Sequence, residues 1–316
     1  MDLTGIHHLT AISARIRDNK RFFTGTLGMR LVKRSVNQDD VSAYHLFYAD
    51  GRGTPGTDIT FFDWPLPPER RGTHAITRTH LRVAGEAALA WWSEALEEAG
   101  VRTEPIAERG GRLTLPLEDP EGQRLTFVDD KGEGDAHPWD GSPVPKEFQV
   151  RGLGPIVLSV PELAPTDALL TRVLNMRKIR DYPHPDGAQD LVHVYEMGPG
   201  GAGAELHVAE QPGLPPARQG AGGVHHVAFR TPTFDEYDAW VAHLNAHRVR
   251  NSGPVDRFWF RSLYFREPNG ILFEIATDGP GFAVDEDEAA LGSSVVLPPH
   301  LEEERGAIVA ALEPLD

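Results

Sequence analysis

The chain has 316 residues, 40% of them hydrophobic and 25% charged, with a formal net charge of −16 and no cysteine. The length allows two domains with sizeable cores, while the missing cysteine excludes disulfides and thiolate metal sites and leaves His, Asp, Glu or water to hold any metal. The acidity disfavours nucleic acid and anionic membrane as partners, no stretch reaches the roughly 20 apolar residues of a membrane span, and MDLTGIHHLT has no secretory-signal pattern, so a cytoplasmic location and a small-molecule substrate are expected.

In chain order the sequence writes one unit four times: a short apolar strand, an amphipathic helix, then two or three further strands. The first unit runs GIHHLTAIS (5–13), RDNKRFFTGTLGMRLVKRSV (17–36), SAYHLFYAD (42–50) and TDITFFDW (57–64). The second runs THLRVAG (79–85), EAALAWWSEALEEAGVRTEP (86–105) and RLTLPLEDPEGQRLTFVDD (112–130). After KGEGDAHPWDGSPVPKEFQV (131–150), a Gly-, Pro- and charge-rich connection, the third runs GPIVLSV (154–160), APTDALLTRVLNMRKIRDY (164–182), DLVHVYEMG (190–198) and GAELHVAE (203–210). The fourth runs GVHHVAFRT (223–231), TFDEYDAWVAHLNAHRV (233–249) and RSLYFREPNGILFEIAT (261–277). LGMRLVKR at 27–34 is echoed by LNMRKIRD at 174–181, and DPEGQRLTFVDD at 119–130 by EPNGILFEIATD at 267–278.

Spacings of three and four predict helix faces at Ala90, Trp91, Ala95 and Leu96, and at Tyr237, Trp240, Val241 and Leu244. The tail segment LPPHLEEERGAIVAAL (297–312) opens with prolines and acids and then carries an apolar face. It predicts a closing helix packed on the carboxy-terminal half.

The first and fourth units each begin with a glycine, a branched residue and two histidines. Successive strand residues point to opposite faces, so both members of a pair cannot face one cavity at the same depth. Leu9, Val227 and Phe229 belong to the core face, which puts His8, Thr10 and Ile12, and His226, Ala228 and Arg230, on the other. His8 and His226 are therefore the ligand candidates, with His7 and His225 lying behind them or at the strand edge. Glu274 interrupts the apolar run GILFEIAT, where a carboxylate is costly unless paired or metal-bound. Pairing with Arg257 or Arg261 is the plain alternative. Two histidines and one carboxylate with open coordination positions suit Fe(II) or Mn(II).

The units resemble the βαβββ modules of the vicinal oxygen chelate superfamily, which includes glyoxalase, extradiol dioxygenases and bleomycin-resistance proteins. More closely, from residue 5 to about 315 the chain resembles the hydroquinone-type ring-cleaving dioxygenases of that superfamily. GIHHLTAI, FFTGTLGMRLVKRSVNQDD, GVHHVAFRT, DRFWFRSLYFREPNGILFEIATDGPGF and LPPHLEEER carry the likeness. It implies an α+β fold of four βαβββ modules in two tandem domains, 1–130 and 151–280, joined by the linker 131–150 and followed by the tail 281–316. Mixed curved sheets would form an open barrel-like cup around one metal.

The resemblance also implies ligands at His8, His226 and Glu274, and pocket roles for His7, Thr10, His225, Arg257 and Tyr264. The implied reaction is insertion of O2 into a hydroquinone or related small aromatic. In it His7 or His225 would relay protons, Tyr264 would hydrogen-bond the bound phenolate, and Arg257 would stabilise developing charge. A homo-oligomer is compatible with the sequence.

Two other readings compete on the same fold. A glyoxalase-type isomerase needs a fourth protein ligand near Thr60 or Phe62, where no Glu stands; a drug-binding protein without chemistry would not need the full triad. In the second and third units the matching positions are read as His80, Pro155, Thr126 and, beside Glu205, His207. They predict no second metal, so one site per chain is expected, with His193 a satisfied polar residue.

Overall fold

In a computed structural model, residues 1–315 are described, apart from the side chain of Ala188. The first module comprises β1 (Ile6–Ser13), α1 (Ile16–Lys20) continued by a π-helical turn (Arg21–Thr26), β2 (Arg30–Asn37), β3 (Asp40–Ala49) and β4 (Asp58–Asp63). The second comprises β5 (Ala75–Val83), α2 (Gly85–Glu98), β6 (Ala107–Arg109), β7 (Arg112–Glu118) and β8 (Arg124–Asp129). The third comprises β9 (Gly152–Val160), α3 (Leu163–Arg172), β10 (Arg177–His184), β11 (Gly187–Glu196) and β12 (Glu205–Glu210). The fourth comprises β13 (Val224–Thr231), α4 (Phe234–Ala246), β14 (Val255–Asp256), β15 (Phe260–Arg266) and β16 (Leu272–Pro280), and α5 (Arg305–Ala311) follows. The repeat read from the sequence is thus a βαβββ unit used four times.

Two eight-stranded mixed sheets result, in the orders β14-β15-β16-β13-β1-β4-β3-β2 and β10-β11-β12-β9-β5-β8-β7-β6. The first module is therefore sewn to the fourth through antiparallel β1 and β13, and the second to the third through β5 and β9. The residues of 1–130 and of 151–280 each contribute to both sheets. Segment 131–150 crosses between them without strand, anchored where Trp92 donates to the Phe148 carbonyl at 2.7 Å and Ser142 to that of Gly28 at 2.7 Å.

The helices cover the outer faces. In α2 the buried stripe is Ala88, Leu89, Trp92 and Leu96, one position round from the expected Ala90, Trp91 and Ala95, because Trp92 and not Trp91 fills the space over Phe127. In α4 the buried residues are Tyr237, Trp240 and Leu244, and a Thr233–Glu236 capping box starts the helix. Truncating a fully buried tryptophan such as Trp240 to alanine costs about 3–5 kcal/mol.

The tail corrects the expectation that it closes the carboxy-terminal half, since it runs along the first module instead. The shared sheet leaves β2 as its edge, and the tail covers that edge. Lys33, fully buried, binds the Phe282 carbonyl, Asp285 and Glu286. Val295 bridges Arg34, Ser35 donates to the Val296 carbonyl, and Tyr44 donates to the Glu313 carbonyl. The helix itself is a 3-10 turn from Pro299 to Glu304 continued by α5, which buries Ile308.

Candidate metal centre

The β1–β13 ladder slips twice. Ile6 and His8 pair with the adjacent residues Phe229 and Ala228, and Thr10 and Ala11 pair with His226 and Val224. One extra residue sits in each strand, and these are His7 and His225, the first members of the two pairs. A bulge of this kind re-aims side chains and lets two neighbours point into one region, which strict alternation forbids. The glycines that open the motifs have a local cause as well. A side chain at Gly5 would meet the Gly203 carbonyl at 2.9 Å, and one at Gly223 would meet Glu69 at 2.8 Å.

The slips bring His8 and His226 face to face across the ladder, their Nε2 atoms 3.4 Å apart. Glu274 stands on β16 beside Ala228, and its Oε2 lies 2.9 Å from His226 Nε2 and 3.2 Å from His8 Nε2. Among the described residues this is the one group of three whose donor atoms could hold a metal ion. All three residues are buried, Glu274 completely.

The tautomers are fixed by what lies behind. A carbonyl oxygen only accepts, so the 3.0 Å contact with Thr277 requires a proton on His7 Nε2. Burial first, then the neighbouring His8, pushes the His7 pKa down to about 3, so the ring is neutral and its Nδ1 is a bare acceptor. His8 Nδ1, 2.9 Å away, must then donate to it, which leaves the lone pair of His8 Nε2 facing Glu274. His225 Nδ1 stands 2.8 Å from His226 Nδ1, a matching contact without a carbonyl behind it among the described residues. Its ring rests edge-on against Phe62 and Trp64, and burial followed by His226 pushes its pKa down to about 3.

Glu274 Oε1 accepts from Ser262 Oγ at 2.5 Å, whereas Oε2, with no contact to solvent, makes no hydrogen bond of acceptable geometry despite its two imidazole neighbours. Burial pushes the Glu274 carboxyl up, but the neighbouring His8 and His226 outweigh it and hold the group well below the usual carboxylate range. An ionised, orphaned oxygen facing two imidazole nitrogens is a donor set that a cation would satisfy. The residues present therefore fit a divalent metal. Neither Arg257 nor Arg261 pairs with Glu274. Arg257 binds Asp39 at 2.8 and 3.2 Å, and Arg261 lies over the Phe234 ring.

A cleft of about 390 Å³, open to solvent, leads to the triad. Phe47, Phe62, Trp259 and Phe260 form its walls, and Asn37, Asp39, Arg257 and Tyr264 give it a polar rim. Phe258, held at φ 73°, turns the chain so that Trp259 and Phe260 face inward, and Asp256 caps its N–H. Arg257 Nε lies 3.3 Å from Tyr264 Oη. Burial, then the Glu274 charge, raises the Tyr264 pKa and keeps the phenol protonated.

His7, His225 and Thr10 do not line this cleft. The proton-relay expectation for His7 is revised, because Thr277 and His8 occupy both its nitrogens. Thr10 Oγ1 reaches Thr60 Oγ1 at 2.8 Å, and Thr60 Oγ1 in turn reaches His45 Nε2 at 2.9 Å. His45 and Ser262 went unread in the sequence. His45 lines the cleft, and burial followed by His8 holds its pKa well below the usual histidine range. No motif surrounds it; the available signal was the parity of SAYHLFYAD once β3 was known to pair with β4. Thr60 pairs with Thr10 as Glu274 pairs with Ala228, so Thr60 holds the place of a fourth ligand and offers only a hydroxyl already in use.

The second sheet repeats the ladder without the ligands. Its slips fall after Ile76 and Thr79. His80 is level with Thr126 as Ala228 is with Glu274, so the counterpart of His226, two residues earlier, is Arg78 rather than the expected His80. His207 bonds Glu205 and Tyr182, and His193 bonds Asp181 through Nδ1 while its Nε2 has no partner.

The model for the Glyoxalase/Bleomycin resistance protein/Dioxygenase superfamily matches residues 5–127 and 152–275. Over 317 residues the chain is 45% identical to MhqA of Bacillus subtilis (strain 168), provisionally named a ring-cleaving dioxygenase, with all of both chains covered. It is 31% identical to a chlorohydroquinone/hydroquinone 1,2-dioxygenase of Sphingobium indicum, covering 94% of this chain and 92% of that protein. A crystal structure from Bacillus subtilis, provisionally titled a dioxygenase, superposes with a TM-score of 0.91 at 33% identity over 99% and 98% of the two chains.

Proposed function

The chain belongs to the glyoxalase/bleomycin resistance protein/dioxygenase superfamily, and from that membership we propose that it is a metal-dependent ring-cleaving dioxygenase acting on a hydroquinone or related dihydroxylated aromatic. The observation that carries the reading is the buried His8–His226–Glu274 triad, with only a hydroxyl at the fourth-ligand position and an aromatic-walled cleft above it. The names of the relatives point the same way.

The triad would hold Fe(II) or Mn(II), since both accept two nitrogens and a carboxylate. Such an ion would supply Lewis acidity toward a substrate oxygen and a path for electron density from ring to O2. Everything else is the work of this chain. Phe47, Phe62, Trp259 and Phe260 hold a flat ring and keep water out. The neutral Tyr264 hydroxyl donates to the substrate oxygen, and Arg257, fixed by Asp39, holds that hydroxyl in line and offsets negative charge. His45, neutral and held by its Thr60 contact, lines the cleft as a hydrogen-bonding ring for the substrate. His7 and His225 keep the ligand rings in the tautomer that leaves Nε2 free. Both atoms of O2 enter the product as one ring carbon–carbon bond breaks. A neutral diol thereby becomes an open chain ending in a carboxylic acid and an aldehyde.

The test is oxygen uptake by protein loaded anaerobically with Fe(II), on adding methylhydroquinone, with catechol in parallel. Uptake with loss of the ring absorbance supports the reading. One tightly bound metal and no uptake with either ring would refute it. His8→Ala and Glu274→Ala should each abolish metal binding and turnover together, and retained activity in either would sink the ligand assignment.

A further inference from the structure

The second sheet carries a pocket in the corresponding place, with about 700 Å³ of empty space when its mouth, open to solvent, is included, against about 390 Å³ at the triad. Its chemistry is inverted. Where the first sheet has His226 and Glu274, the second has Arg78 and Thr126, so a fixed positive charge stands in a ligand position and the carboxylate is gone. Arg78 Nη1 donates to Thr126 Oγ1 at 3.1 Å, its one bond among the described residues. Arg124 also lines the cavity, and its guanidinium has no hydrogen bond or ion pair among the described residues.

Three of the acids near this pair are ion-paired elsewhere, while Glu69 and Asp186 attract Arg124 without forming an ion pair with it among the described residues. Glu118, opposite Arg124 in the β7–β8 ladder, binds Arg71 and Arg102. Glu104 binds Arg109 at 3.0 Å, and Glu205 binds Arg112 and Arg180. Asp186, on the rim, lies outside ion-pair distance of both arginines. In all, the lining carries four arginines against two acids, in a chain whose net charge is −16. Two partly buried guanidiniums close enough to repel, neither of them ion-paired among the described residues, are an unfavourable arrangement that an anion would relieve. Burial, then mutual repulsion among Arg71, Arg78 and Arg124, lowers the Arg124 pKa to about 10. Between the arginines the wall is apolar, formed by Pro116, Val128, Pro155 and Val157.

We propose that this cavity is a second binding site, for a small organic carboxylate with a flat apolar body, held by Arg78 and Arg124 through its carboxylate and by the apolar wall through its body. Inorganic anions satisfy only half of that surface. The neutral diols proposed for the first site lack the charge. The proposal does not depend on the reaction at the triad.

The experiment is calorimetric titration of the full chain with benzoate at low salt, with benzamide as the neutral isostere and inorganic phosphate as the anion without a body. Benzoate should bind at one site per chain, at least about tenfold tighter than benzamide or phosphate. Arg124→Met should weaken it at least about tenfold at an unchanged melting temperature, and Glu274→Gln should leave it unaltered. Arg78→Met serves as a second variant should the first lose its fold. No saturable binding below about 10 mM, equal binding of benzamide, persistence in a folded arginine variant, or loss in Glu274→Gln would each overturn the proposal.

Discussion

His7→Phe removes the group that orients a proposed ligand while leaving all three proposed ligands in place. In the native chain the Thr277 carbonyl commits His7 Nε2 to donate, and His7 Nδ1 therefore accepts from His8 Nδ1 at 2.9 Å. Phenylalanine fills the ring's space but accepts nothing. The His8 N–H is then stranded in a site that is 3% exposed, at a cost of about 1–3 kcal/mol. His8 can escape by moving its proton to Nε2, the very atom that faces Glu274, and an N–H cannot ligate. The metal-free protein takes this escape, and metal binding must reverse it and strand the N–H again, so the cost falls on the bound state; at 1.4 kcal/mol per decade this predicts about 10–100-fold weaker affinity. The assay is chelator competition with Mn(II) at neutral pH, alongside urea unfolding of the metal-free protein. His7→Asn, whose carboxamide oxygen can accept in place of Nδ1, should recover a large part of the loss. A folded His7→Phe protein within about threefold of the wild-type affinity would show that Thr277 and His7 do not set the His8 tautomer.

Other consequences are as open to measurement. His225→Phe should cost less metal affinity than His7→Phe, because no carbonyl fixes the His225 ring and water can replace it; an equal or larger loss in the same competition assay would contradict this. Ser262→Ala removes the donor to Glu274 Oε1, and a drop of about tenfold in Mn(II) affinity is expected at unchanged unfolding cooperativity. His80, outside the metal site, has its pKa pushed down to about 3 by burial and then by His207. A histidine depressed on folding takes up its proton more readily when unfolded, so its contribution is complete above about pH 6.5 and is lost as pH falls toward 3, at up to about 1.4 kcal/mol per unit. Urea unfolding at pH 7 and 5.5 should show that slope, and His80→Gln should flatten it by about one proton. Lys33→Met leaves Asp285 and Glu286 without their buried partner and should destabilise the chain by about 3–5 kcal/mol, read as a shift in the urea midpoint.

Much of the fold was legible because each unit repeats its own punctuation: a strand start, an amphipathic helix, and turns such as that before Ile271. Parity separated His8 from His7 and His226 from His225, and the buried charge marked Glu274. What parity does not encode is the ladder slip. Whether His7 turns away from the site or toward it depends on a bulge that forms only once β1 meets β13. His45 and Ser262 were missed because their importance lies in strand neighbours, Thr60 on β4 and Glu274 on β16, which no local pattern names. Arg78 was passed over for His80 for a related reason: counting from sequence alone slipped by two along β5. The tail was misplaced because the sequence, read as two successive halves, does not reveal that the first and fourth modules share a sheet.

That sharing has a consequence for how the protein is made. His8 leaves the ribosome well before its partner across the ladder, His226, which follows 218 positions later, with Glu274 later still. No nascent fragment ending before β16 contains the full donor set, so a truncated or stalled chain has nothing with which to capture iron or manganese as proposed here. A bound ion would act as a clasp between β1, β13 and β16, opposing the chain entropy of the long loop between them. Metal occupancy would then report that β16 has been made and docked. Starvation for the ion would be felt first as a loosening of β1 from β13, before either sheet loses its own core.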